Sequence, residues 1–211
     1  MKVFSSWSGG KESALATYKA ISQGHEVLYL VNFVSEDGKR SRSHGIKANV
    51  LALQAEAMGI PLIQVKTSWE DYEENFKKVA TRLKKKGIEG GIFGDMELEE
   101  HREWIERVCG ELKIKAFLPL WGIEAEELID EFLKLGFKAM VIATKLDENL
   151  LGKVLDEALL NQVIRLGSHP CGENGEYHTF VTSGPTFKKP FEVALGKKEE
   201  RDDTWFLEVL A

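Results

Sequence analysis

Six consecutive residues, Ser8-Gly9-Gly10-Lys11-Glu12-Ser13, bring two hydroxyls, a cation and a glycine pair into one short stretch. These types suit the grip of an anion. Hydroxyls donate hydrogen bonds, the lysine supplies charge, and adjacent glycines let the main chain turn tightly and approach a ligand without a Cβ in the way. The stretch follows the apolar run Val3 to Trp7, with Ser6 near its end, and precedes Ala14, Tyr18 and Ile21 at helical spacing. It therefore joins a predicted strand to a predicted helix, where unpaired amides and the helix dipole favour a phosphate group. Two common nucleotide loops are excluded. Ser5 stands where a Gly-x-x-x-x-Gly-Lys-[Ser/Thr] loop needs its first glycine, and Glu12 follows the lysine. The contiguous glycine pair also breaks the Gly-x-Gly-x-x-Gly pattern of dinucleotide folds.

The elements around this turn alternate between β-prone runs and helical periodicity. Strands are predicted at Val3 to Trp7, Glu26 to Phe33, Pro61 to Lys66, Gly90 to Phe93 and Lys115 to Leu118, separated by helices that end near Gly24, Gly59 and Gly87. This alternation is that of an α/β fold, a Rossmann-like parallel sheet flanked by helices. Ligands of such sheets bind beyond the carboxyl ends of the strands. Asn32 and Phe33 end the second strand and are expected to receive adenine, and Gly94-Asp95 follows the fourth. After Trp121 the pattern changes to a helix at Ala125 to Leu135, a strand at Ala139 to Ala143, a helix near Val154 to Leu166 and short β-prone runs at Thr179 to Val181 and Thr204 to Val209. The expected organisation is a nucleotide-binding domain over residues 1–121 and a small mixed α+β lobe over 122–211.

The 211 residues carry 43% hydrophobic and 29% charged side chains, an ordinary balance for a soluble chain with one sizeable core. No apolar run is long enough to cross a bilayer, and the first residues meet Gly9-Gly10 too early for a secretory signal, so the expected location is the cytoplasm. Two cysteines, Cys109 and Cys171, make a disulfide framework improbable. A net charge of −6 argues against a nucleic-acid partner. The polar segment Ser35 to His44 carries Lys39, Arg40, Arg42 and His44, and reads as an exposed loop or, if functional, a mobile basic lid with His44 as its contact. His101 falls on the apolar stripe of its helix and is expected as a packed core histidine at least as much as a catalytic one. Trp104 and Trp121 are expected in the core.

The motif Ser8 to Ser13 resembles the Ser-Gly-Gly-Lys-Asp-Ser turn of the PP-loop (N-type) ATP pyrophosphatases, with Glu12 in place of the usual Asp. The segment Cys171-Gly172-Glu173-Asn174-Gly175-Glu176-Tyr177-His178-Thr179-Phe180-Val181, then Gly184-Pro185-Thr186-Phe187, resembles the carboxy-terminal signature of the diphthine–ammonia ligases. Gly94-Asp95, His101 to Trp104 and Pro119-Leu120-Trp121 extend that resemblance over nearly the whole chain. It implies an amide ligase that consumes ATP with Mg²⁺. The carboxylate of diphthine on translation elongation factor 2 becomes an acyl-adenylate with loss of pyrophosphate, and ammonia then displaces AMP. It further implies that Ser6, Ser8, Gly9, Gly10, Lys11, Ser13, Asn32, His44, Gly94 and Asp95 bind ATP, with Asp95 able to hold magnesium. Lys11, Glu173 and Glu176 would be catalytic, the glutamates handling ammonium and its proton. Cys171, Gly172, Asn174, Gly175, Tyr177 and His178 would form a substrate loop. Two rivals stand beside this reading. One is a tRNA-modifying PP-loop ligase with Cys171 carrying sulfur, and the other is a non-catalytic ATP sensor. A zinc site of His169, Cys171 and His178 matches no common spacing.

Overall fold

The computed structural model describes residues 1–189 and 191–211. Its first sheet is built from β1 (Lys2–Ser6), β2 (Glu26–Val34), β3 (Leu62–Lys66), β4 (Gly90–Ile92) and β5 (Lys115–Phe117), all parallel, in the order β3-β2-β1-β4-β5. The crossovers are α1 (Lys11–Ser22), α2 (Ala48–Met58), α3 (Tyr72–Lys85) and α4 (Glu99–Leu112). Successive side chains of a strand point to opposite faces, so neighbours sort into two cores. Val3, Leu30 and Ile92 face α1 and α2, whereas Phe4, Val31 and Phe93 face α3 and α4 through Phe76, Val79, Leu83, Ile105 and Val108.

The sheet's winding reverses at β1, which has β2 on one side and β4 on the other. In open α/β sheets a crevice opens at the carboxyl ends of the strands at such a switch point. The turn after β1 and Gly94-Asp95 after β4 are therefore neighbours by topology. Gly94 makes the approach close, since a Cβ there would lie 3.0 Å from Ser13 N and from the carbonyl carbon of Glu12.

The second lobe contains α5 (Ala125–Lys134), β6 (Lys138–Thr144), a short 3₁₀ turn at Glu148–Leu150, α6 (Glu157–Arg165), β7 (Tyr177–Ser183), β8 (Ala194–Arg201) and β9 (Thr204–Leu210). Its strands form an antiparallel sheet ordered β7-β6-β9-β8. Among the described residues this lobe has no core of its own. Phe137, Val141, Phe180, Val181 and Leu207 belong to the same buried cluster as Val3, Leu15, Leu30 and Leu51 of the first sheet and its helices. β8 escaped the sequence reading because Ala194–Arg201 is an exposed, charged edge strand with no apolar alternation to announce it. The β8–β9 hairpin turns through Asp202 and Asp203, both at positive φ (49° and 57°), the conformation that two-residue hairpins require.

The joint between the lobes runs through the glycine turn. Gly9 O accepts from Val181 N of β7 (2.9 Å) and from Gln54 Nε2 of α2 (3.2 Å). Gln54, fully buried, also donates to Val181 O (2.6 Å) and accepts from Trp7 Nε1 (2.9 Å). Gly9 sits at φ +84°, and a Cβ there would lie 2.6 Å from Leu51 Cδ2 and 3.4 Å from Phe180. Gly9→Ala combines a left-handed backbone with overpacking and should lower stability by about 2–4 kcal/mol. Gly24 has the same φ of +84° with open space around it. Its alanine variant should cost only about 1–2 kcal/mol in urea unfolding, so equal losses at the two positions would contradict the packing argument.

Candidate active site

A cavity of about 480 Å³ opens at the switch point, a size in the usual range for small-ligand sites. Its floor is the amino end of α1 with Ser6, Ser8, Lys11, Glu12 and Ser13, and its walls are the ends of β2 and β4 and the loop before β7. Ser8 Oγ lies 3.1 Å from Ser13 Oγ and accepts from Gly10 N (3.2 Å), so both hydroxyls cluster at the helix start. Gly9 and Gly10 themselves do not line the cavity. Gly9 faces the shared core, and Gly10 lies beneath His44, whose Cε1 would be 2.6 Å from a Cβ built there. The glycine pair, read in the sequence as a direct phosphate cradle, thus serves packing from below as well as the turn.

Lys11 departs further from expectation. Its side chain is buried, with Nζ 2.6 Å from Cys171 O, 2.6 Å from Glu12 Oε1 and 4.7 Å from the centre of the Tyr177 ring. Burial opposes its charge, and Glu12, Tyr177 and Cys171 overcome that opposition and hold its pKa above the ordinary lysine value. Instead of a free cation reaching for a ligand, it is a buried charge that fastens the loop of residues 168–176 to the turn after β1. Lys11 N completes the fastening by donating to Thr179 Oγ1 at 3.2 Å.

That loop separates the two glutamates. Glu176 accepts from His169 N (2.9 Å), Asn174 N (2.9 Å) and Asn174 Nδ2 (3.2 Å). Burial raises its pKa, but these donors prevail and leave it below the usual carboxylate range. Its carboxylate shapes the turn and lies outside the cavity lining, as do Asn174 and Gly175. Of the two glutamates expected to handle ammonium, Glu176 is thus the one turned away from the cavity. Gly172, at φ +71°, would place a Cβ 2.7 Å from Tyr177 O, so the turn closes only with glycine there. Glu173 does line the cavity, along with Cys171, Gly172, Tyr177 and His178. Burial, reinforced by Glu12 and then by Asp95 and Glu97, pushes Glu173 up to about 7 against the opposing pull of Lys11. Cys171 is buried, its Sγ is 3.6 Å from Ala125 O, and burial pushes its thiol up to about 12. A thiol in that setting is a poor nucleophile.

Asp95 faces the cavity from the end of β4 with Oδ1 3.0 Å from His101 Nδ1. His101 is not the packed core residue that its helical position suggested. Its side chain is 59% exposed on the cavity rim, and the bond to Asp95 raises its pKa against the effect of burial. Among the described residues no group of three His, Cys, Asp or Glu side chains could hold a metal ion, which leaves the zinc idea at His169, Cys171 and His178 without support. His169 Nδ1 instead accepts from Cys171 N at 3.2 Å. Asn32 is buried, and its amide donates to Trp7 O at 2.8 Å, leaving Oδ1 without a partner.

The segment read as an exposed loop or mobile lid is folded instead. Ser35 N donates to Arg40 O, Arg42 N to Phe33 O and Ser41 N to Ile46 O, which brings Arg42, Ser43 and His44 onto the cavity wall. Arg42 lies over the Trp69 ring at 4.6 Å. Trp69, Tyr72 and Trp104 complete an aromatic wall, with ring centres 5.8 Å apart in each consecutive pair. Sequence reasoning had assigned all three to a helical rhythm or to the core. The usable signal was position, since Trp69 follows the carboxyl end of β3, where the crevice rule places ligand contacts.

An acid whose folded pKa lies above its unfolded value binds more protons when folded, so stability falls as pH rises between the two values. Glu173 is predicted to impose that loss as the pH rises from about 4.5 through about 7. Glu173→Gln removes it, so the variant should gain stability relative to the parent across this window in denaturant melts. A constant difference from pH 4 to 8 would contradict the raised pKa.

Comparison with known proteins bears on this geometry. The chain matches the family model described as the diphthamide synthase N-terminal domain over residues 1–116 and the one described as the diphthamide synthase C-terminal domain over residues 124–209. A diphthine–ammonia ligase of Schizosaccharomyces pombe is 32% identical over 94% of this chain, which spans only 37% of that longer protein. Those of Homo sapiens and Rattus norvegicus are 30% and 28% identical over 90% and 92% of this chain and 81% and 83% of their own lengths. With both of its halves matched in order, the chain belongs to the diphthamide synthase family.

Proposed function

We propose that this protein is an ATP-dependent carboxylate–ammonia ligase whose acceptor is diphthine on translation elongation factor 2. One observation carries the reading: the carboxyl of Glu173, which burial pushes up to about 7, faces the same cavity as the amino end of α1. On this reading phosphate binding and proton handling next to ammonia share one cavity. A carboxylate is a poor acyl donor, so the acceptor oxygen first attacks the α-phosphorus of ATP and pyrophosphate departs with the electron pair of the broken P–O bond. Ammonium then gives a proton to the Glu173 carboxylate. The ammonia formed attacks the acyl carbon, the C–O bond to AMP breaks, and the nitrogen loses its remaining extra proton to solvent.

Ser8, Ser13 and the amides of Glu12 and Ser13 hold the polyphosphate, with the charge of Lys11 behind them. The unpartnered Oδ1 of Asn32 suits the exocyclic amine of adenine. Asp95 has one oxygen free of His101 and suits Mg²⁺ that arrives with the triphosphate, since this ion commonly needs only one or two protein carboxylates beside the phosphates. Such an ion would neutralise charge developing on the phosphates. The described residues contain no helix long and apolar enough to cross a membrane. The buried, high-pKa thiol of Cys171 disfavours the sulfur-carrying alternative.

Incubation with ATP, Mg²⁺, ammonium and the diphthine-bearing factor should release AMP and pyrophosphate in equal amounts with amide formation. ADP and phosphate, or no turnover, would favour the rival readings. Glu173→Gln should slow amide formation about a hundredfold or more, the usual contribution of a positioned acid or base. Cys171→Ser should leave it essentially unchanged, and a comparable loss in both variants would restore the sulfur-transfer alternative.

A further inference from the structure

His44 and His178 come from different lobes, yet their rings stack with centres 4.6 Å apart and planes 23° apart. His44 belongs to the segment after β2, and His178 to β7. The ring of His44 covers Gly10 at the amino end of α1, and its buried Nδ1 has only the backbone of Thr179 beside it, too poorly aligned to satisfy it. Both line the cavity. A stacked imidazole pair above a helix amino terminus and a buried ammonium is unfavourable for charge while no anion is present. A polyphosphate entering the cavity beside the pair, against Ser8 and Ser13, would reverse that balance, because it adds negative charge and accepts N–H donors.

We propose that His44 and His178 form a proton-taking clamp for the polyphosphate, so that nucleotide binds together with about one proton drawn from solvent. This rests on the cavity being the ATP site. Burial, then Lys11, pulls His44 down to about 4 in the free protein, and burial, then His44 and Lys11, pulls His178 down to about 3. The pair is therefore neutral at pH 7, and proton uptake belongs to the bound state alone. The other charged or titratable groups facing the pair are Lys11 and Glu12 on α1, Cys171, Glu173 and Tyr177 around the loop and β7, Lys145 after β6, and Arg42 on the segment of His44. Behind His44 lie Arg40, Lys47, Lys197, Glu199, Arg201 and Glu208. Glu173, pushed up to about 7, and His101, raised by its bond to Asp95 on the rim of the same cavity, would also take up a proton beside an anion. The test must separate both from the stacked pair.

The test is calorimetric titration of the intact chain with Mg²⁺ and the uncleavable α,β-methylene analogue of ATP, at pH 7, in buffers of contrasting ionisation enthalpy. The expected result is a buffer-dependent heat corresponding to about one proton taken up, retained in Glu173→Gln and in His101→Gln, and abolished or halved in His44→Gln and in His178→Gln. Affinity of the unsubstituted chain should fall as pH rises from 6 to 8, approaching tenfold per unit for one linked proton. Adenosine alone should bind without that pH dependence. Tight analogue binding with no buffer-dependent heat, or uptake lost in Glu173→Gln or His101→Gln and intact in His44→Gln and His178→Gln, would overturn the clamp and leave the ATP reading standing. Absence of any analogue binding would overturn both. Melting curves of each variant guard against reading misfolding as lost linkage, and the Glu173→Gln and His101→Gln measurements decide the question even if one variant of the stacked pair does not fold.

Discussion

A buried ammonium is the constraint on which this structure turns. Lys11 lies almost wholly out of solvent, and an unpaired charge there would be strongly destabilising. It is tolerated because Glu12 pairs with it, Cys171 O accepts from it and the Tyr177 ring faces it. Two of those partners come from a loop about 160 residues further along the chain. Satisfying one charge therefore obliges the carboxy-terminal loop to close on the amino-terminal turn, and that closure creates the cavity.

The same logic explains why the second lobe carries no separate core. Gln54 and Gly9 O join α2, the turn and β7 through buried hydrogen bonds, and Phe180 packs between the sheets. A cluster in which each buried polar atom depends on a partner from another element is rigid as a whole, because loosening one member leaves others unsatisfied. Rigidity of this kind suits a site that must keep phosphate donors and a proton acceptor at fixed separation. Among the buried polar side-chain atoms without a hydrogen-bond partner, Asn32 Oδ1, Arg42 Nε and His44 Nδ1 come from residues that line the cavity, whereas His25 Nδ1 and Thr186 Oγ1 lie away from it.

Charge inside the cavity is mixed, which bears on the order of events. Lys11, Arg42 and the start of α1 favour an anion, while Glu12, Asp95 and Glu173 oppose one. A triphosphate entering with a cation and displacing nothing would meet both sets. Raising the pKa of Glu173 to about 7 lowers that opposition, since the group carries only part of its charge at neutral pH. In the proposed reaction the carboxylate that takes a proton from ammonium would thus also offer less opposition to an entering nucleotide.

What the residues alone determined is the local and the periodic. Alternation of apolar runs with helical stripes specified a parallel sheet, because strand and helix periods differ and glycines mark the helix ends. The turn Ser8 to Ser13 was legible because hydroxyls, lysine and glycine at a strand-to-helix junction have few other uses. Tertiary structure decided what depends on distant partners. Glu173 and Glu176 are indistinguishable as letters three apart, yet one faces the cavity and the other binds three donors of its own turn. His101 lies at an apolar helical position but points to Asp95 at the rim, and His44 reaches His178 only because Arg42 N and Ser41 N tie their segment back to the sheet. The side-chain environment that sets a pKa, a rotamer or a ligand contact is assembled from residues far apart in the chain, so no local pattern encodes it.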